Sequence, residues 1–224
     1  MEKDRSKLYD YSDGQKFEGK SANEIFSHIA EENMWIEKES VSGFGSSLVQ
    51  TREIIKELPG ILRKFGIKKL LDAPCGDFNW MQKVDLQGIA YTGADIVEKI
   101  VEQNQQKFTQ EHRKFVRMNI MSDDLGDHDL LFCRDCLVHF SFEDVQKVLK
   151  NLKQSGVTFL MTTTFPGQKS NSDIATGGWR PLNLEKAPFN FPPPLYLLNE
   201  KCTEMDGAFD DKSLGIWKVA DLLE

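Results

Sequence analysis

The sequence lacks any long hydrophobic run. No stretch of roughly 18 consecutive apolar residues occurs in it, so a membrane-spanning helix is excluded. The chain begins with the charged stretch Met1-Glu2-Lys3-Asp4-Arg5, which is not the pattern of a secretory signal peptide. These absences predict a cytoplasmic protein with no membrane partner.

Positive charge is also scarce. Lys and Arg total 28 against 35 Asp and Glu, which gives a net charge of −7. An acidic chain has no electrostatic footprint for a phosphate backbone, so we expect nucleic acid not to be the main partner. The sequence leaves the oligomeric state open.

The cysteines are few for a chain of 224 residues, and we expect no disulfide framework from four of them. Cys133 and Cys136 have C-x-x-C spacing, but no second pair and no histidine pair stands nearby to complete four zinc ligands. We therefore favour a structural role for both over a metal or redox role, and expect no metal site.

The pattern from Lys69 to Met81 predicts a strand, a tight turn and a helix, but the segment lacks the glycines of a dinucleotide site. Only Gly76 is present, and Phe78 stands where G-x-G-x-x-G needs a second glycine. A turn of this kind lies at the carboxyl end of a strand, where α/β folds bind nucleotides. A ligand without phosphates fits it better than a dinucleotide.

Hydrophobic patterning predicts strands that alternate with helices. Further strands are expected at 89–94, 114–120, 129–133 and 157–163, helices at 96–108 and 142–154, and a closing strand pair at 195–198 and 215–219. This order predicts an α/β fold with a Rossmann-like, doubly wound, mostly parallel sheet and a C-terminal antiparallel strand pair. The length and the 40% hydrophobic content suit one globular domain.

The N-terminal part is expected to be separate from the sheet. Residues 1–20 are polar and are predicted to form a loose arm, and residues 21–66 to be helical, with Ser21 as a helix cap and a break at Pro59-Gly60. These helices are either a lid over the ligand or ordinary packing against the sheet. Residues 67–224 would then form the catalytic domain.

Three strand-end motifs carry a resemblance to a known family. Asp72-Ala73-Pro74-Cys75-Gly76, Gly93-Ala94-Asp95-Ile96 and the stretch 129–135 resemble, in order and spacing, the motifs of class I S-adenosylmethionine-dependent methyltransferases. The chain is similar to a small bacterial group that shares the Asp-Ala-Pro-Cys-Gly-Asp-Phe-Asn-Trp-Met and Cys-Arg-Asp-Cys-Leu-Val-His signatures. The resemblance covers the chain from about Trp35 onward and implies S-adenosylmethionine as the cofactor.

Site residues follow from this resemblance. It implies that residues 72–76 line the methionine half of the cofactor, that Asp95 binds the ribose hydroxyls, and that Asn119 and Ile120 flank the adenine. Each acid also has a simpler interpretation, since Asp72 could cap a turn and Asp95 could cap a helix. The full cofactor-binding set implied is Trp35, Arg52, Asp72, Ala73, Pro74, Cys75, Gly76, Asp95, Ile96, Asn119, Ile120 and Arg134.

His139 and Asp135 are the candidate catalytic residues, because they follow the fourth strand where the crevice is expected. A neutral imidazole suits proton removal near pH 7, although His139 could simply pack before the next helix. Asp135 is the rival base, or the group that orients His139 or the sulfonium. The Asn/Asp-Pro-Pro-aromatic motif of amino-directed DNA methyltransferases is absent, since Asp135-Cys136-Leu137-Val138 occupies its place. That difference favours an oxygen acceptor.

The long segment from Pro166 to Pro194 is the candidate acceptor site, because long loops in compact domains are usually functional. Trp179 and Arg180 are its candidate substrate-binding residues. They predict a small polar or glycan acceptor, with a sugar or sugar-nucleotide hydroxyl favoured. The alternatives are a protein or other metabolite acceptor, a nicotinamide-dependent oxidoreductase, and a non-catalytic nucleoside-binding module.

Overall fold

One seven-stranded sheet organises the chain in a computed structural model that describes residues 17–35 and 38–222. Its strands are β1 (Lys69–Asp72), β2 (Ala90–Asp95), β3 (Arg113–Arg117), β4 (Leu130–Cys133), β5 (Phe159–Thr164), β6 (Tyr196–Asn199) and β7 (Ser213–Lys218). They lie in the order β3-β2-β1-β4-β5-β7-β6. Strands β1 to β5 pair in parallel, and β7 pairs antiparallel with both β5 and β6. The predicted fold class, including the closing strand pair, is confirmed.

The sheet order reverses between β1 and β4, which creates a crevice at the carboxyl ends of these strands. Asp72 at the end of β1 lies beside Gly93 of β2 and Phe132 of β4. The antiparallel β7 starts at the same edge, where Ser213 pairs with Thr164. The loop between β6 and β7 therefore also reaches the crevice.

Helices cover the sheet, and their starts have chemical causes. They are α1 (Ala22–Glu31), α2 (Leu48–Lys64), α3 (Glu98–Phe108) and α4 (Phe142–Gln154). Ser21 and Glu24 form a reciprocal capping box at α1, and the Ser141 side chain accepts from the backbone N–H of Asp144 at α4. The apolar face of α4 is buried through Val145, Val148, Leu149 and Leu152.

Helix α2 is continuous, so the predicted break at Pro59-Gly60 is wrong. Ile54 and Leu58 before the proline and Ile61 and Leu62 after it are all buried in one core cluster. Packing on both sides of Pro59 outweighs the loss of a single helical hydrogen bond.

The described connection between β1 and β2 contains no α-helix, contrary to the sequence prediction; it has a short 3₁₀ turn at Met81–Lys83 instead. Phe78 adopts a left-handed φ of 59°, the conformation that the missing second glycine would have favoured. Its ring is buried against Tyr91, Phe108 and Phe115, at centroid distances of 5.3, 5.2 and 5.1 Å. Burial of this aromatic cluster fixes the course of the turn in place of a glycine.

The predicted loose arm is described only from Phe17, since residues 1–16 lie outside the described residues. Phe17 is not loose, because it is buried against Ile25 and Ile29 of α1. None of the described helices combines the length and the apolar character needed to cross a bilayer.

Candidate functional site

A cavity of about 460 Å³ opens at the carboxyl edge of the parallel strands. This volume lies within the range of small-molecule sites. Its wall is formed by the ends of β1, β2 and β4, the turn after β3, N-terminal residues within 26–35 and 41–46, the loop at 177–179, and residues of the β6–β7 connection.

The turn after β1 forms one side of the cavity, and Gly76 is essential to its shape. Gly76 has a φ of 53°, and a Cβ added there would lie 2.1 Å from Ser42 Oγ. Any side chain at this position would therefore displace the N-terminal segment. Ala73, Pro74 and Cys75 line the cavity beside it.

Asp95 links this turn to β2. Its Oδ2 accepts from the backbone N–H of Gly76 at 3.1 Å and its Oδ1 from that of Val97 at 3.0 Å. Helix α3 has Val97 rather than Asp95 as its N-cap. Burial raises the pKa of Asp95 to about 6, although these backbone N–H groups lower it.

Asp72 is the second buried carboxyl group at this edge. Tyr91 Oη donates to Asp72 Oδ2 at 2.5 Å. Burial raises the pKa of Asp72 to about 7, since it outweighs the hydrogen bond from Tyr91, and the nearby Asp95 raises it further. A positively charged ligand would favour the ionised form of both acids.

The turn after β3 lines the cavity next to Asp95. Strand β3 ends at Arg117, three residues before the predicted end, so Asn119 and Ile120 lie in a turn and face the cavity together with Ile96. The Asn119 side-chain oxygen accepts from the backbone N–H of Met121 at 3.0 Å. The Asn119 side-chain oxygen thus stabilises the turn itself.

A buried ionic cluster lies at the other end of the cavity. It consists of Arg134, Asp135, Glu200, Glu204 and Lys212, and we call it the ionic cluster. Arg134 Nη2 donates to Glu200 Oε2 at 2.7 Å and to the Gly45 carbonyl at 2.9 Å. Lys212 Nζ donates to Asp135 Oδ2 at 2.6 Å, and Arg134 Nη1 lies 3.2 Å from the same oxygen.

The structure does not support Asp135 as a general base. Burial would raise the pKa of Asp135, but the charges of Arg134 and Lys212 outweigh it and hold the pKa well below its usual range. A carboxylate paired with two cations is a poor proton acceptor near pH 7. Asp135 instead holds Arg134 and Lys212 at the cavity wall.

His139 faces the cavity, and one of its two ring nitrogens is already hydrogen-bonded within the protein. Its Nδ1 lies 2.8 Å from the Gly178 carbonyl, so Nδ1 carries the proton that this carbonyl accepts. No described residue makes a hydrogen bond to Nε2. Burial lowers the pKa of His139, which keeps the ring neutral near pH 7. Trp35 packs on the ring at a centroid distance of 5.4 Å.

Two predicted site residues lie away from the cavity. Arg180 is buried and donates to the carbonyls of Leu137 at 2.8 Å and Phe140 at 2.7 Å. It cannot meet an acceptor, so the structure does not support its predicted substrate-binding role. Arg52 is exposed on α2 and donates to the Val49 and Lys201 carbonyls, so it does not meet a cofactor in this cavity. Trp179, by contrast, lines the cavity.

The N-terminal segment is fastened over the β1 turn. Ser40 Oγ and the Val41 backbone N–H donate to the two carboxylate oxygens of Asp77, each at 3.0 Å. Asn79 Nδ2 donates to Glu39 Oε1 at 3.0 Å. Segment 38–46 thus closes one side of the cavity.

Cys133 and Cys136 are buried and unpaired, as are Cys75 and Cys202. Over residues 17–35 and 38–222, no group of three or more His, Cys, Asp and Glu residues is arranged to hold a metal ion.

Sequence reasoning missed Glu204, Lys212 and Phe209, which line the cavity from the β6–β7 connection. A signal was present. A strand antiparallel to β5 must start at the edge of the sheet where the parallel strands end. The polar residues just before β7 must therefore lie near the crevice.

The middle of the chain matches a known family. Residues 71–155, from β1 through α4, match the family described as Methyltransferase domain. The match supports a methyltransferase domain over these residues, which are less than half of the chain. The match supports S-adenosylmethionine as the cofactor of this domain. No curated protein matches the chain.

Solved structures share the fold of this chain. PigF with S-adenosylhomocysteine has a TM-score of 0.61 at 13% identity, covering 90% of this chain and 63% of that chain. The N-methyltransferase NodS from Bradyrhizobium japonicum WM9, in complex with S-adenosylhomocysteine, has 0.59 at 11%, covering 86% and 97%. Magnesium protoporphyrin IX methyltransferase from Synechocystis PCC 6803, with bound S-adenosylmethionine, has 0.52 at 17%, covering 67% and 79%. At these identities the likeness shows the fold.

Proposed function

We propose that the protein transfers a methyl group from S-adenosylmethionine to a hydroxyl group of a small polar acceptor, with a sugar or sugar-nucleotide hydroxyl favoured. The observation that carries this proposal is the pair of buried carboxyl groups, Asp72 and Asp95, beside the single-glycine turn. Both belong to the segment that matches the methyltransferase family.

The residues present fit this cofactor by their chemistry. S-adenosylmethionine has a cationic sulfonium and no phosphate group, so its site needs acids rather than bases. Asp72 and Asp95 supply acidic groups, and Gly76 leaves a cradle that a Cβ would fill. In our proposal Asp95 binds the ribose hydroxyls, the turn 72–76 lines the methionine half, and Ile96 and Ile120 contact the adenine. Trp35 and segment 38–46 would cover the ligand.

When bound, the cofactor supplies a methyl carbon already activated by the sulfonium. The protein then has two tasks, which are to align the acceptor and to remove its proton. His139 Nε2 suits the second task, because the Gly178 carbonyl fixes the proton on Nδ1 and burial keeps the ring neutral. Asp135 stays ionised and holds Lys212 in place.

Transfer to an amine is the second candidate within methyltransferases. The lone pair on His139 Nε2 could accept a proton from either a hydroxyl or an amine acceptor. The motif of amino-directed DNA methyltransferases is absent at residues 135–138, which favours the hydroxyl. A nicotinamide cofactor is disfavoured, because Phe78 fills the position of the second glycine with a buried ring.

The test begins with labelled S-adenosylmethionine, pooled cell metabolites and glycans, and mass spectrometry of the product. With the acceptor in hand, His139→Ala should lower kcat by about 10²- to 10⁴-fold and leave cofactor affinity unchanged. His112→Ala is the control, since His112 is exposed outside the cavity. Methylation only of protein or nucleic acid fractions would overturn the acceptor proposal, and a near wild-type kcat in His139→Ala would remove His139 as the base.

A further inference from the structure

The inner end of the cavity holds polar groups whose hydrogen-bonding capacity is not filled. We propose that Glu204, Lys212, Trp179 and Phe209 form an acceptor subsite for a neutral, polyhydroxylated ring, with Glu204 and Lys212 binding its hydroxyls. This inference rests on the proposed methyl transfer and assigns to it four binding residues, three of them beyond the predicted site.

The unused hydrogen-bond donors of Lys212 are the first support for this subsite. Its ammonium group has three N–H donors, and its side chain is buried. In the described chain it makes one hydrogen bond, to Asp135, while the nearest oxygens of Glu200 and Glu204 lie 3.7 Å away, beyond hydrogen-bond distance. Lys212 therefore keeps donor capacity at the cavity wall, where a ligand can use it.

Glu204 supplies the matching acceptor. Its Oε2 accepts from the Cys202 thiol at 3.4 Å, and no described residue donates to its Oε1. Glu204 also lines the cavity. A carboxylate and an ammonium group thus stand side by side, each with unused capacity.

Donors and acceptors together select hydroxyl groups over ions. A hydroxyl both donates and accepts, so neighbouring hydroxyls can satisfy Lys212 and Glu204 at once. The ionic cluster contains two cations and three carboxylates, so its charges are nearly balanced. An ammonium ligand would be repelled by Lys212 and a carboxylate ligand by Glu204. A neutral polyol satisfies both groups without that cost.

Aromatic rings form the adjoining wall and favour a ring-shaped ligand. Trp179 packs against Phe209 at a centroid distance of 5.0 Å, and Phe165 supports both at 6.0 and 5.8 Å. Trp179 is the partly exposed member and faces the cavity. The apolar face of a pyranose or furanose ring can pack on such an indole while its hydroxyls reach the polar pair.

The subsite lies next to the proposed base and beneath the N-terminal segment. Gly178, whose carbonyl holds His139, directly precedes Trp179. A Cβ at Gly45 would lie 3.2 Å from Asp135 Oδ2, 3.6 Å from Lys212 Nζ and 3.7 Å from Glu204 Oε2. The backbone of segment 38–46 therefore lies directly beside the polar pair.

Saturation-transfer NMR on the full chain with S-adenosylhomocysteine tests this inference. The probes are methyl α-glucopyranoside, UDP-glucose, glucosamine, glucuronate and catechol. We expect transfer to the ring protons of methyl α-glucopyranoside or of the uncharged glucose ring of UDP-glucose. Glu204→Gln should weaken this binding on the order of tenfold, and Trp179→Ala should abolish it. Trp179→Phe should retain part of it.

The controls separate this inference from the proposed function. Glu102→Gln, on the exposed face of α3, should bind the sugar as the parent does. Calorimetry with S-adenosylhomocysteine tests the cofactor site separately, so a variant that binds the cofactor product but not the sugar reports on the subsite alone. Three results would overturn the inference. They are binding of catechol or glucosamine only, binding of no sugar by the protein with S-adenosylhomocysteine bound, and unchanged sugar binding in both Glu204→Gln and Trp179→Ala.

Discussion

Asp72 has the most strongly raised carboxyl pKa at the strand edge, and its burial makes a pH effect measurable. The pKa is about 7 in the folded protein, whereas an unfolded Asp titrates near ~3.9. Between these values the folded state binds more protons than the unfolded state. The free energy of unfolding therefore falls as pH rises through that window.

Asp72→Asn should remove this dependence. We expect the parent protein to lose roughly 1–4 kcal/mol of unfolding free energy between pH 5 and pH 8 through this group, and the variant to lose less. Urea unfolding at both pH values, without cofactor, measures the difference. Glu102→Gln is the control, and an equal pH dependence in the parent and in Asp72→Asn would contradict the assignment.

The same residues show how far single positions can be predicted from sequence. Strand patterning places Asp72, Gly76 and Asp95 at one edge of the sheet, and the resemblance implied their roles in cofactor binding. Arg180 was misassigned, because a sequence does not distinguish a loop arginine that meets a ligand from one that satisfies buried carbonyls. Lys212 was missed because the 48 residues between β5 and β7 obscure how close it comes to Asp135.

At the scale of elements, loop 172–180 holds the turn that carries His139. The Arg180 side chain donates to the carbonyls of Leu137 and Phe140, and its backbone N–H donates to Val138. The Gly177 backbone N–H donates to the His139 carbonyl at 2.9 Å. Arg180 is thus a positioning residue for His139.

Arg180→Lys should loosen this turn while keeping a buried cation. We expect kcat to fall about tenfold and the acid limb of the kcat profile to move to higher pH, because a more solvated His139 regains a pKa nearer its usual value. Cofactor affinity should not change. The pH profile measures this, with exposed Arg63→Lys as the control. A lower kcat with an unmoved acid limb would indicate a purely structural role.

Segment 38–46 is held to the β1 turn mainly through Asp77. Asp77→Ala removes the acceptor for Ser40 and Val41, and each hydrogen bond to a charged group contributes about 1.5–3 kcal/mol. If the segment is a lid, losing contacts of this energy should make the variant release S-adenosylhomocysteine about tenfold faster or more. Stopped-flow displacement measures the rate. Asp85→Ala, which removes a turn contact to Gln87, is the control. An unchanged release rate would contradict the lid.

The elements themselves were largely predictable, and the exceptions have physical causes. Short continuous apolar runs located the strands, since both faces of a parallel sheet are buried. The continuity of α2 through Pro59 and the missing helix after β1 depend on packing against the sheet, as Phe78 and its aromatic partners show. Such packing is decided by residues distant in sequence.

At the scale of the whole molecule, topology gathers the site from seven separate segments. Parallel strands bring Asp72, Asp95 and Asp135 to one edge, and the antiparallel β7 returns Lys212 to the same edge. Residues within 26–35 and 41–46, before β1, cover the cavity. The cofactor end is acidic, and the acceptor end combines aromatic rings with the ionic cluster.

Isothermal titration of the full chain with S-adenosylmethionine tests the central claim most directly. We predict binding at one site per chain, weakened by about 1–3 kcal/mol in Asp95→Ala, since this change removes both the proposed ribose contacts and the tether to Gly76. Glu102→Gln should bind as the parent does. Absence of binding, or an affinity unchanged in Asp95→Ala, would contradict the account.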